Sequence, residues 1–173
     1  MTFIFTEEFE NDYWKDIKIR VFEHKKFKTK IYFLKNNDNN KAFNIAFRTP
    51  SPNSQGFQHI IEHSVLRGSK KYNGGSNEVF SELMKKSINT NMNASTYSDF
   101  TQYYFSTLVD FELFKMMDVY LNSVFFPLVK QDINHFRQEG WRIDKDKKGN
   151  YFYNGVVLNE MKGYYSIVDE AIE

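Results

Sequence analysis

His59-Ile60-Ile61-Glu62-His63 is the stretch on which the reading of this 173-residue chain turns. Positions three and four apart on a helix are neighbours, so the two imidazoles and the carboxylate share one side of it. Neutral imidazoles at that spacing can reach one metal ion and suit Zn²⁺. A carboxylate beside them can take a proton from water. The flanks agree with a helix over 57–66: the breakers Pro50, Pro52 and Gly56 precede it, and Gly68 stands where a helix ends.

Toward the N-terminus, 30–35 and 42–48 read as strands. In the second, Phe43, Ile45 and Phe47 alternate with Asn44 and Ala46, the period of a sheet with one buried face. Asn36-Asn37-Asp38-Asn39-Asn40 between them predicts a hairpin loop. Toward the C-terminus, 77–86 reads as a short helix, and 91–96 and 101–107 as strands joined at Tyr97-Ser98-Asp99. A helix over 110–126, with Phe111, Phe114, Met117, Val119, Leu121 and Val124 as its core stripe, is stopped by Pro127. Another helix is expected over 131–142, a turn at Lys148-Gly149-Asn150, and a last helix from 156. Strands and helices mix without strict alternation, which predicts α+β rather than a doubly wound parallel sheet.

Apolar residues make up 41% of the chain and aromatics 18%, ample for a packed core in one domain. The net charge of +1 argues against a nucleic-acid footprint, which needs a pronounced basic patch. Cysteine is absent, so any metal must be held by nitrogen and oxygen. The first ten residues carry no basic region or apolar run of the leader type, and nothing approaches the roughly 18 apolar residues of a membrane span. A cytoplasmic protein with no membrane partner is the expectation.

A catalytic zinc takes three protein ligands and an open position. The pentapeptide supplies two. His24, His135, Glu78, Glu82, Glu112, Glu139, Glu160 and Glu170 each have suitable chemistry, and spacing does not choose among them. Glu139 also suits a hydrogen-bond partner to a ligand histidine, but an acid on a helix surface is the commoner role, and it stays outside the selected site residues.

Larger blocks surround the motif. Ala46-Phe47-Arg48-Thr49-Pro50 leads to Gly56 and the pentapeptide, which continues as Ser64-Val65-Leu66-Arg67-Gly68-Ser69-Lys70-Lys71-Tyr72. Asn93-Ala94-Ser95-Thr96-Tyr97, Gln138-Glu139-Gly140-Trp141-Arg142 and Gly155-Val156-Val157-Leu158-Asn159-Glu160-Met161-Lys162-Gly163 follow. With these blocks the chain resembles the inverzincin zinc metallopeptidases, the pitrilysin and insulysin group, and within them the presequence-protease branch. The resemblance implies a mixed, mainly antiparallel sheet with helices packed largely on one face. It implies one Zn²⁺ held by His59, His63 and Glu160, with Glu62 as general base. It places Asn93 and Ala94 where an edge strand receives the substrate backbone. The implied activity is endopeptidic hydrolysis of short unfolded peptides by zinc-activated water. The alternative is a non-catalytic metal-binding or structural subunit of the same family. Relatives often have a proline where this chain has Gln58.

Full-length members of that group are several times longer. They have two halves that close around a chamber, the second supplying an arginine and a tyrosine to the scissile carbonyl. By this resemblance 1–173 is a single, partial N-terminal peptidase domain, with 1–20 as an N-terminal extension. Its expected partners are an unfolded peptide and the C-terminal part of the same polypeptide. Alone it is expected to cleave peptides poorly and to self-associate through apolar surface left exposed.

Overall fold

In the computed structural model, which describes residues 2–11, 13–73, 83 and 85–166, the first of two units (1–39) is made of strands and turns. Strands β1 (Phe3–Asn11), β2 (Trp14–His24) and β3 (Lys30–Lys35) form an antiparallel sheet in the order β1-β2-β3. Phe5 faces Phe22 and Val21 faces Tyr32 across it, with Val21 fully buried. The stretch set apart as an extension supplies β1 and much of β2.

The second unit, 40–173, opens with β4 (Lys41–Arg48). Asn36–Asn40 was expected to fold β3 back onto this strand. Instead β3 pairs with β2, while β4 pairs with a strand far along the chain, so the Asn-rich run links two sheets. Hydrophobic alternation marks a strand but does not select its partner.

Helix α1 (Phe57–Leu66) follows, then β5 (Asn89–Thr96) and β6 (Phe100–Thr107). The sheet order is β4-β6-β5, antiparallel throughout, which leaves β5 at an edge. Along β6 the residues Thr101, Tyr103, Phe105 and Thr107 are buried and their neighbours are not, so one face is covered. Helix α2 (Asp110–Phe125) packs on that face, and Val65, Met92, Ala94, Tyr103, Phe105, Met116 and Tyr120 make the core. Tyr120 donates its hydroxyl proton toward Asn93 O (3.3 Å) and Tyr104 O (3.2 Å), tying α2 to both strands. The α+β class and the mainly antiparallel sheets agree with the expectation.

The buried face of α2 is Met116, Val119, Tyr120 and Ser123. Phe111 and Phe114, expected in the core, are 77% and 69% exposed. They lie at i and i+3 with Asp118 at i+7, a different face from the one that meets the sheet.

After α2 comes a 3-10 turn at Leu128–Lys130, then a short helix α3 (Asn134–Glu139) in place of the expected 131–142. Gly140 turns extended and ends it. Strands β7 (Arg142–Lys145) and β8 (Tyr151–Asn154) form a hairpin, and Asp146 Oδ1 accepts backbone protons from Lys148 and Asn150 at 2.8 Å each in its turn. Helix α4 (Val156–Tyr164) closes the described chain.

Two glycines allow close approaches at α4, one to the end of α3 and one to the start of α1. A Cβ on Gly155 would lie 2.2 Å from Gly140 O and 2.8 Å from Trp141 Cα. Gly56, at φ 72°, caps α1 with Met161 Sδ 3.0 Å from where its Cβ would be. Most of the helix expected over 77–86 lies outside the described residues, although Leu83, Lys85 and Lys86 are helical. Among the described residues no helix is long and apolar enough to cross a membrane.

Candidate metal centre

Helix α1 presents His59, Glu62 and His63 on one side, as the spacing predicts. One ligand atom from each lies within 4.8 Å of the others, and the two imidazole rings stand 4.9 Å apart. The helix start is secured by Gln58, which donates to Pro50 O (3.0 Å) and accepts from Ser51 Oγ (3.3 Å). The side-chain amide at this position thus holds the preceding loop to the helix start.

Glu160 arrives from α4. Its Oε2 is 3.3 Å from His63 Nε2 and 3.6 Å from His59 Nε2. Ligand atoms bonded to one tetrahedral zinc at about 2.0–2.1 Å stand about 3.3 Å from one another. Two imidazole nitrogens and a carboxylate oxygen at these separations fit such an ion.

The surroundings orient the side chains. Glu62 is 5% exposed, and its Oε2 accepts a 2.7 Å hydrogen bond from Thr96 Oγ1 at the end of β5. Behind Thr96 the hydroxyls continue, with Thr101 Oγ1 at 3.4 Å and Thr49 Oγ1 a further 2.7 Å on. Glu139, buried at the end of α3, has Oε2 3.2 Å from His63 Nδ1 and accepts from Arg67 Nη1 on Oε1. Burial pushes the His59 imidazole below its usual range, against the pull of Glu62, and so favours the neutral form a metal ligand needs. The hydrogen bond to Glu139 outweighs burial at His63 and raises it, and the same bond, with Arg67, holds Glu139 low.

A groove of ≈ 460 Å³ runs beside these groups. Glu62, His63, Glu139 and Glu160 line it, and so do Asn93 and Ala94 from the edge strand. Asn93 is exposed and its Oδ1 accepts from Ala94 N at 2.9 Å. Of the residues picked out in the sequence, Glu62, His63, Asn93, Ala94 and Glu160 line this groove, and His59 adjoins it through Glu160 Oε2. Among the other candidates, His24 Nδ1 accepts backbone protons from Lys26 and Phe27, and Glu112 accepts from Ile88 N. Glu78, Glu82 and Glu170 lie outside the described residues. Sequence reasoning missed Thr96 and Arg67, because neither carries a spacing signal to the residue it touches.

Residues 48–139, which contain the pentapeptide and end on Glu139, match the family described as Insulinase (Peptidase family M16). The chain belongs to that family.

Curated relatives extend the likeness past Glu139. Protein HypA of Clostridium perfringens is 46% identical over 152 residues, covering 87% of this chain and 15% of the relative. Presequence protease 1, chloroplastic/mitochondrial, of Arabidopsis thaliana is 44% identical over 156 residues, covering 90% and 14%. The mitochondrial presequence protease of Schizosaccharomyces pombe is 40% identical over 148 residues, covering 83% and 14%. The chain therefore spans about a seventh of the length of the curated relatives it matches.

Proposed function

We propose that this chain carries the metal centre and the substrate edge of a zinc endopeptidase acting on short, unfolded peptides. The observation that carries the reading is the convergence of Glu160 Oε2 on both imidazole Nε2 atoms, beside a buried Glu62. His59, His63 and Glu160 would hold the ion. Bound there, Zn²⁺ supplies Lewis acidity toward a carbonyl and acidifies water.

The rest is the work of the chain's own residues. Glu62 takes the proton of the attacking water and later passes it to the leaving amine. Thr96 occupies Glu62 Oε2, which leaves Oε1 for that transfer. An extended peptide adds to the β5 edge near Asn93 and Ala94, where backbone pairing requires an unfolded substrate. To pair there it takes the Ala94 N–H from the side chain of Asn93.

The test is Glu62→Gln. Zinc stoichiometry should match wild type, while cleavage of an unstructured, fluorogenic peptide should fall by about 10²–10⁴-fold. A variant that cleaves as wild type would remove Glu62 from the chemistry.

A further inference from the structure

The two oxygens of Glu139 have different partners. Oε2 lies 3.2 Å from His63 Nδ1, and Oε1 accepts from Nη1 of Arg67. The ion pair is sequestered, with the Arg67 and Glu139 side chains 13% and 7% exposed. Arg67 is the cap residue at the C-terminal end of α1, one turn beyond His63 on the same helix. The two partners of Glu139 thus come from one rigid element, and Glu139 from another.

We propose that Arg67 is a positioning residue for the metal centre. A carboxylate held by one oxygen still rotates, whereas one held at both is fixed in its plane. The planar guanidinium suits that task better than a lysine ammonium would. With Oε1 engaged by Arg67, Oε2 is left facing His63 and accepts from Nδ1–H. That contact fixes the ring orientation and presents the Nε2 lone pair toward Glu160. The inference rests on His63 being a metal ligand, as proposed above.

An ion pair that merely ties α1 to α3 would show the same contacts, so the test must separate the two. Zn²⁺ affinity is measured by competition with a chromophoric chelator for wild type, Arg67→Met, Glu139→Gln and the double variant, alongside thermal denaturation of each metal-free chain. Each single change should weaken zinc by about 10- to 100-fold. The double variant should bind no more weakly than Glu139→Gln alone, because Arg67 acts through Glu139. Arg67→Gln is run in parallel, in case methionine opposite a buried carboxylate prevents folding. Arg67 variants that bind zinc like wild type, or lose the same factor in both backgrounds, would overturn the inference while leaving the zinc reading in place. A folded wild type that takes up no zinc would overturn both.

Discussion

Glu160 Oε2 stands 3.3 Å from His63 Nε2, with α4 entering where Gly155 lets the backbone ahead of it lie against Gly140 and Trp141, just past the end of α3. The candidate metal centre is therefore coupled to a close approach of main chains that no side chain at 155 would permit. Gly155→Ala puts a Cβ 2.2 Å from Gly140 O, so the backbones must part. We expect a loss of about 1–3 kcal/mol or more in chemical denaturation of the metal-free chain. Zinc affinity should fall with it, because Glu160 moves with α4. Unchanged stability and affinity would show that the approach does not position Glu160.

Thr96→Val keeps the shape of the side chain and removes the hydroxyl that donates to Glu62. A buried carboxylate that loses a donor costs about 1–3 kcal/mol. Peptide cleavage should lose kcat more than it gains KM, and Thr96→Ser should restore most of both losses. A valine variant as stable and active as wild type would show that Glu62 needs no support from β5.

The pH dependence of the metal-free chain follows from the His63–Glu139 pair. Glu139 is depressed from its ordinary 4.5, so its contribution to stability is present above that pH and lost as pH falls through the folded value. His63 is raised from its ordinary 6.5, so its contribution is present below that pH and lost as pH rises through the folded value. Both hold between 4.5 and 6.5. With a chelator present, the Tm difference between wild type and Glu139→Gln should be widest in that window and narrow on either side. A difference of constant size across about pH 4–8 would contradict the pairing.

What the sequence made legible was what lies close along the chain. His59, Glu62 and His63 meet because helical spacing alone brings them together. The alternation of Phe43, Ile45 and Phe47 marked the inward face of β4, and Tyr97-Ser98-Asp99 marked the turn between β5 and β6. Contacts made across the fold left no local trace. Glu160 was singled out by resemblance and not by spacing, and Arg67 reaches Glu139 only once α3 lies beside α1. The same limit explains two of the misreadings. Asn36–Asn40 carries turn chemistry, but pairing partners were decided by β2 and β6. Phe111 and Phe114 are as apolar as a core stripe should be, yet the sheet lies against another face of α2.

The central claim is that His59, His63 and Glu160 hold one ion together. Its most direct measurement is the metal content of purified wild-type chain and Glu160→Gln after dialysis against trace zinc, with circular dichroism confirming that both are folded. About one zinc per wild-type chain, lost or much weakened in Glu160→Gln, is the predicted result for a three-ligand site. Equal zinc in both chains, or none in a folded wild type, would contradict it.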